Sequence, residues 1–209
     1  MYTNCLKQLK PVLLVLFLCL LISCSGNPSA VKEKKRLSMA NCNFKGIKTG
    51  DIILKKGMGK VSNMIVNYFN EKIPLSHCAI LVCNSDSTFI VHSVAKGYAR
   101  KDGVQTLLLD EFMNDCEADY FYIVRQKASD AQRELFAQRA LEYTKGTIAF
   151  DEDANNENKD AMSCTELIYW CQKDVYGKSD LSTIKIAGKD VFVFNALLDT
   201  SRYQIIKHY

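Results

Sequence analysis

Cysteine and histidine are the residue types in this chain of 209 residues that are best suited to covalent chemistry. The chain contains nine cysteines and three histidines, His77, His92 and His208. A cysteine attacks as its thiolate, and an adjacent imidazole or a helix N-terminus favours that form. Cys164 is the one cysteine at a predicted helix start, with Ser163 before it as a possible cap. These residues predict nucleophilic catalysis by Cys164.

Each of these residues also has a structural interpretation. Cysteine is among the most buried residue types, and Cys164 shares an apolar helical face with Cys171. A histidine in an apolar strand is more often structural than catalytic. His77 and Cys78 are neighbours in a predicted strand, so they point to opposite faces and His77 is poorly placed to serve Cys78. Considered one at a time, these residues do not decide between a catalytic role and a structural role in the core.

Four further residues lie where they could border a site. Asp51 and Asp151 stand at the ends of predicted strands or loops, where an acidic residue more often serves a turn or a cap. Phe150 could line a cleft, although core packing is the commoner role. Glu166 falls in the first turn of the helix that begins at Cys164, and the backbone N–H of Cys164 is a candidate oxyanion donor.

The hydropathy pattern predicts an α+β domain, a mostly antiparallel sheet packed against helices. Strands at 77–83 and 88–94 flank the turn cluster Asn84–Ser87 and should form a hairpin. His77 and His92 share a face of this hairpin only if its loop holds two or four residues, because side chains alternate along a strand. The other expected elements are strands at 50–54, 103–109 and 120–125, helices at 58–70, 129–146 and 163–174, and an apolar tail at 191–209 that packs back on the domain.

The N-terminus has the pattern of an export signal. Two lysines precede an apolar run over residues 11–22, which is shorter than the roughly 20 residues that a membrane-spanning helix needs. The run ends in Leu21-Ile22-Ser23-Cys24, which resembles the lipobox of bacterial lipoproteins. That resemblance implies cleavage before Cys24 and a lipid on its sulfur. We expect a signal peptide at 1–23, a tether at 24–45 and one catalytic domain at 46–209, anchored in the cell envelope and facing the periplasm.

Charge and motifs exclude several other classes of function. The tether carries a short basic run, Lys32 to Arg36, which stays solvated or lies on anionic headgroups. Without Lys7 and Lys10, 25 of the 27 basic residues remain against 23 acidic ones, an excess too small to indicate nucleic-acid binding. Cysteine and histidine spacings match no zinc site, and no glycine-rich phosphate loop is present. We expect membrane attachment through the lipid, and no cofactor, metal or nucleic-acid partner.

Several short segments occur in an order that resembles a known family. The order is similar to that of the YiiX/YaeF-like branch of the NlpC/p60 superfamily, the circularly permuted papain-like amidases, over about residues 46–175. The segments are Gly50-Asp51-Ile52-Ile53-Leu54, Ser76-His77-Cys78-Ala79-Ile80-Leu81, Phe89-Ile90-Val91-His92-Ser93, Tyr143-Thr144-Lys145-Gly146, Phe150-Asp151 and Ser163-Cys164-Thr165-Glu166-Leu167-Ile168.

The resemblance implies a circularly permuted papain-like fold and a role for each matching residue. Cys164 matches the nucleophile and His77 the base, in the permuted order with histidine before cysteine. His92 falls where a third polar residue is expected, at a point where many YiiX-like members carry Glu. The resulting His…His…Cys set resembles that of lecithin retinol acyltransferase relatives. A histidine can orient a catalytic histidine by hydrogen bonding to its far ring nitrogen.

Three functions follow from these observations. The first is a cysteine hydrolase, an amidase or peptidase that acts through a thioester intermediate, with cell-wall peptides as candidate substrates. The second is a lipid-directed acyl hydrolase or acyltransferase of the lecithin retinol acyltransferase type, suggested by the two histidines and the membrane tether. The third is a catalytically inactive binding lipoprotein. The partner is accordingly a peptide or an acyl-containing substrate.

Overall fold

An antiparallel six-stranded sheet organises the computed structural model, which describes residues 34–99, 101–154 and 156–209. Its strand order is β4-β3-β2-β1-β5-β8, and two further strands, β6 and β7, form a separate hairpin. The strands are β1 (Ile52–Gly57), β2 (His77–Cys83), β3 (Thr88–Val94), β4 (Gly103–Leu108), β5 (Cys116–Gln126), β6 (Thr183–Ile186), β7 (Lys189–Phe192) and β8 (Tyr203–His208).

Four α-helices accompany the sheet in the described part of the chain, and local sequence sets where the two longest begin. The helices are α1 (Lys60–Phe69), α2 (Leu109–Met113), α3 (Asp130–Thr144) and α4 (Cys164–Tyr176). Both α3 and α4 begin with a capping box, in which a serine and the Gln or Glu three residues later bond each other's backbone N–H groups. The α4 helix ends at Gly177, whose φ of 71° is easily adopted without a side chain.

The sheet is covered on both faces, so its central strands are apolar throughout. Ile52 and Leu54 of β1 belong to the core cluster that includes residues of α3 and α4. Ile53 belongs to a second cluster, which includes residues of α2. Alternation along β1 therefore divides its side chains between the two faces. The expected α+β class, with its mostly antiparallel sheet, is confirmed.

The loop of the β2–β3 hairpin has a length that places His77 and His92 on the same face of the sheet. Cys83 pairs with Thr88, which leaves a loop of the four residues 84–87. The Asn84 side chain accepts hydrogen bonds from the backbone and the hydroxyl of Ser87 and holds this turn. A loop of four residues places positions 77 and 92 on one face of the sheet, the face that α2 covers.

The expected signal peptide and Cys24 lie outside the described residues, and only part of the expected tether is described. Lys35 and Leu37 exchange backbone hydrogen bonds with β5 and its neighbours, and Leu37 is buried. Residues 35 and 37, which belong to the expected tether, thus pack against the domain. Within the described ranges, no helix has the length and apolar character needed to cross a membrane.

Candidate active site

The two hairpin histidines are hydrogen bonded to each other. Nε2 of His77 lies 2.9 Å from Nδ1 of His92, with the ring planes inclined at 76°. The register that pairs Ile80 with Val91 places Ala79 opposite His92. His77 is thus the diagonal neighbour of His92, and the small Ala79 between them leaves room for the two rings to meet.

A short helix and a buried lysine support the histidine pair. The Phe112 ring of α2 lies 5.5 Å from the His77 ring and 5.9 Å from the His92 ring, between centroids. Lys55 pairs with His77 across β1 and β2. Its ammonium donates to the Phe112 carbonyl at 2.5 Å and to the Asp115 carboxylate, and lies 4.2 Å from the Phe112 ring centroid. These contacts fix α2 against the two imidazoles.

His92 is a neutral imidazole. Burial, followed by the nearby charges of His77 and Lys55, lowers the pKa of His92 to about 2. Its Nε2 atom is buried without a hydrogen-bond partner among the described residues. His92 therefore does not exchange protons near neutral pH. Its Nδ1 can accept a hydrogen bond from the Nε2–H of His77, which holds that ring in one orientation.

Cys164 is the first residue of α4 and is 8% exposed. A hydrogen bond with Cys78 and the charge and hydrogen bond of His77 lower the pKa of the Cys164 thiol well below its usual value, against the opposing effect of burial. The partial positive charge of the helix N-terminus acts in the same direction. Because Nε2 of His77 faces His92, Nδ1 is the ring nitrogen left for the sulfur.

Cys78 is the second thiol at this point. Burial, then the hydrogen bond and charge of Cys164, raise the pKa of Cys78 well above its usual value, so Cys78 stays protonated and can donate. Cys78 and His77 do point to opposite faces of β2, as alternation requires. The N-terminus of α4 lies at the beginning of β2, and Cys164 there contacts both residues.

Glu166 secures the start of α4 from within the protein. It is 2% exposed, and its Oε2 accepts the Ser163 backbone N–H at 2.6 Å. Burial, with a smaller contribution from the neighbouring Asp151, raises the pKa of Glu166 to about 7, against the opposing effect of its hydrogen bonds with Ser163. Glu166 follows Cys164 by two residues, and its capping contact with Ser163 holds the start of the helix in place.

The fold and this constellation agree with a comparison against known families. A sequence model of the permuted papain-like amidase enzymes, the YaeF/YiiX or C92 family, matches residues 46–199. The chain belongs to this family. It is therefore a hydrolase of the papain-like type, and the expected YiiX-like resemblance is confirmed. No curated protein matches the chain.

A solved structure with the same fold comes from the same family. The crystal structure of metalloprotein yiiX from Escherichia coli O157:H7 superposes with a TM-score of 0.64, at 17% sequence identity, over 78% of this chain and 97% of that one. Within residues 34–99, 101–154 and 156–209 of the present family member, no group of three or more His, Cys, Asp and Glu residues is arranged to hold a metal ion. His77 and His92 instead direct two of their ring nitrogens at each other.

The other expected neighbours of this permuted papain-like site lie in different positions. Asp51 is fully buried and accepts hydrogen bonds from Arg125, at 2.7 and 2.8 Å, and from the Lys48 backbone. It precedes β1 at the end opposite Lys55, so it is not beside His77. Phe150 is half-buried in the loop before α4, and its backbone N–H donates to Asp102.

An open groove of about 710 Å³ reaches the histidine pair from the edge of the sheet. It runs along β3 and β4, and His92 is the member of the pair that lines it. Its other lining residues include Phe89, Tyr98, Gln105, Leu107 and Leu141. The groove thus combines apolar walls with a few polar groups, a composition suited to an organic ligand.

Three residues that matter for this family's site were not expected from the sequence. Lys55 occurs in an apolar strand, where a lysine usually turns to solvent, and Phe112 belongs to a helix of only five residues. Cys78 was set aside because it cannot face His77. The pairing of position 55 with position 77 in adjacent strands is the one signal that could have identified Lys55.

Proposed function

We propose that this chain is a cysteine amidase or peptidase with Cys164 as nucleophile and His77 as general acid and base. One observation carries the proposal: the sulfur of Cys164, with a lowered pKa, is hydrogen bonded to an imidazole that is itself held by His92. Membership in a family of permuted papain-like amidases supports the same reaction class. A thiolate beside an oriented imidazole is the arrangement that acyl transfer needs.

The reaction proceeds in two halves. The Cys164 thiolate attacks the amide carbonyl carbon and forms the S–C bond, while His77 donates a proton to the departing nitrogen and the C–N bond breaks. The amine leaves, and the acyl group remains on sulfur as a thioester. A water molecule then loses a proton to His77, attacks the thioester carbon and releases the carboxylic acid. The sulfur recovers its negative charge and His77 its proton.

The surrounding groups assist without reacting. Neutral His92 accepts the Nε2–H of His77 and keeps Nδ1 directed at the sulfur. The backbone N–H of Cys164 belongs to the first turn of α4, where such groups lack partners within the helix, and is the proposed donor to the developing oxyanion. Phe112 packs against both rings and restricts their rotation. Together these contacts pre-orient the pair for proton transfer.

The proposed substrate is an amide bond in cell-wall peptides. Support comes from the expected export signal and the lipobox-like segment ending at Cys24, a pattern typical of a chain that is anchored in the cell envelope by lipid and faces the periplasm. The test is turnover of muropeptides by purified protein. Cys164→Ala should abolish turnover without unfolding the protein. Cys171→Ala, which removes another thiol from the same helix, should leave turnover intact. Unchanged turnover in Cys164→Ala would exclude the proposed nucleophile.

A second candidate is lipid-directed acyl hydrolysis or transfer. It is favoured by the hydrogen-bonded pair His77 and His92, which resembles the two-histidine set of lecithin retinol acyltransferase relatives. The same thioester mechanism would then act on an ester or amide of a phospholipid. Parallel assays with muropeptide and phospholipid vesicles separate the two candidates. An inactive binding lipoprotein, the third expectation, predicts slow alkylation of Cys164 near neutral pH, whereas both enzymes predict rapid alkylation.

A further inference from the structure

Helix α1 presents an apolar face that the domain does not cover. Met64 is 68% exposed and Tyr68 is 55% exposed, the former the most exposed large hydrophobic residue in the described part of the chain. The two are four residues apart and therefore share one face of the helix. On the inner side, Ile65 and Phe69 pack against the core. None of the residues of α1 is fully buried, so the helix is amphipathic and lies on the surface.

The chain that leads to the expected lipid anchor meets the domain beside this helix. The Lys34 ammonium donates to the side chain of Asn63, at 2.6 Å, and Asn63 directly precedes Met64. Nine residues lie between Cys24 and Lys34, which limits the distance between the two to about 35 Å when the chain is extended. A lipid on Cys24 therefore confines α1 to the neighbourhood of the bilayer that holds it.

Charge around α1 suits an anionic surface. The helix itself contains no acidic residue, and its first residue, Lys60, is exposed. Lys72 follows its end and is also exposed. Glu71, the next acid along the chain, accepts the backbone N–H groups of Phe194, at 2.9 Å, and of the residue after it, at 2.6 Å. Two acids that precede or begin β5 are paired with lysines: Glu117 with Lys34 and Lys56, and Asp115 with Lys55. Acidic headgroups attract lysines at such a surface.

We propose that α1 is a membrane-docking helix, whose Met64 and Tyr68 face enters the interface of a bilayer that contains anionic phospholipid. The inference rests on the proposed lipid anchor at Cys24, and it does not depend on the proposed reaction. An amphipathic helix supplies a further membrane-binding signal, which acts in the same direction as the lipid on Cys24 and the nearby basic residues. Tyrosine at such a depth keeps its hydroxyl in the headgroup layer.

Docking through α1 would bring the active site close to the membrane. Phe69, the last residue of α1, packs edge-on against Phe194 with ring centroids 5.1 Å apart. Phe194 belongs to the same buried cluster as Cys164. The loop after α1 then leads directly into His77, the first residue of β2. The helix is thus connected to the active site by side-chain packing and by a short loop. A bilayer bound to α1 would therefore determine the direction from which a substrate reaches the site.

Quenching by brominated lipid tests the docking directly. The full-length chain is reconstituted in vesicles of phosphatidylcholine and phosphatidylglycerol with brominated acyl chains, as wild type, Met64→Trp and Leu135→Trp. Leu135 is the matched control, since it is 53% exposed on α3. Trp170 is the only tryptophan in the native chain, so its fluorescence is measured in the wild type and subtracted. We expect several-fold stronger quenching for Met64→Trp than for Leu135→Trp.

Equal quenching at the two positions would overturn the proposal. So would a blue-shifted, unquenched Met64→Trp signal, since that result indicates cover by protein or by a second copy of the chain. Tyr68→Trp provides a second reporter on the same face. Combining Lys34→Glu and Lys60→Glu with Met64→Trp should reduce quenching in anionic vesicles, and an unchanged signal would contradict the charge argument. None of these measurements involves Cys164, so failure here is distinct from failure of the proposed hydrolysis.

Discussion

Nδ1 of His92 lies 2.9 Å from Nε2 of His77. The partner of the proposed base is therefore a second imidazole, which burial keeps uncharged, with a pKa of about 2. An uncharged acceptor orients the base without a full negative charge beside it. It also adds no proton of its own to the reaction between pH 5 and 9. His92 therefore contributes by orienting the His77 ring. Kinetic measurements should distinguish this effect from acid–base catalysis.

His92→Ala should lower kcat by about 10²-fold, because Nε2 of the His77 ring loses its partner His92 and misorientation of a catalytic group is costly. KM should change little if His92 does not contact the scissile group. His92→Gln offers a carbonyl oxygen as acceptor and should recover most of the loss. Steady-state kinetics of the three proteins, with thermal unfolding as a folding control, provide the measurement. Wild-type kcat in His92→Ala would remove His92 from the proposed site.

Cys78→Ala should slow alkylation of Cys164 at pH 6.5. The Cys78 thiol is the foremost of the groups that lower the pKa of Cys164, so its loss raises that pKa and reduces the thiolate fraction. Cys78→Ser retains a donor and should react at a rate between the two. The rate is followed with iodoacetamide, and the modified cysteine is identified by mass spectrometry. Cys42 and Cys83 are internal controls, since burial raises the pKa of both thiols. Faster or equal alkylation in Cys78→Ala would contradict this role.

Glu166→Gln should flatten the dependence of stability on pH. The folded-state pKa of about 7 lies above the ordinary glutamate pKa of 4.5, so the protonated carboxyl stabilises the fold fully below pH 4.5. That contribution, on the order of 3 kcal/mol, is lost as pH rises towards 7. Gln preserves the capping box with Ser163 and does not titrate.

Urea unfolding at pH 5 and pH 8 measures this difference for wild type and Glu166→Gln. The depressed pKa of His92 acts in the opposite direction, because its contribution is lost as pH falls from 6.5 towards 2. Both proteins contain His92, so the difference between them isolates Glu166. The idea fails if the two free energies of unfolding change in parallel between the two pH values.

Asp51→Ala should destabilise the fold by about 3–5 kcal/mol, since it leaves the Arg125 guanidinium partly buried without its carboxylate. The kcat of the remaining folded protein should stay close to wild type, because Asp51 lies at the opposite end of β1 from the position that pairs with His77. Chemical unfolding and titrated active-site kinetics separate the two effects. Lys185→Ala, which breaks the exposed pair with Asp190, is the control and should change stability little. A loss of kcat without a loss of stability would instead indicate that Asp51 contributes to catalysis.

Patterns carried by regular elements were predictable from sequence, and patterns that depend on tertiary packing were not. The His77 strand, the His92 strand and the capped start of α4 all follow from alternation and capping chemistry, and the structure confirms them. The helix at Phe112 is too short to show a 3.6-residue period. A buried Lys55 contradicts the usual exposure of lysine and becomes understandable only with its carbonyl and carboxylate partners present.

The thiol pair illustrates the same limit. Alternation along β2 correctly places Cys78 and His77 on opposite faces of the strand. It does not predict that a third residue contacts both of them where the strand begins. The docking of α4 brings Cys164 to both of them, and the sequence distance between these segments hides that contact. The β6–β7 hairpin escaped prediction for another reason. Its strands have four residues each, and most of their side chains are exposed, so no alternating pattern is visible.

The two imidazoles belong to a hairpin that is synthesised well before the segment containing the sulfur. Hairpins form from local contacts and can pair early, whereas α4 must dock across the sheet from a distant part of the chain. A nascent polypeptide therefore contains both imidazoles before it contains the sulfur. Under the proposed mechanism, reactivity begins only when α4 docks, so an incomplete chain has no assembled site.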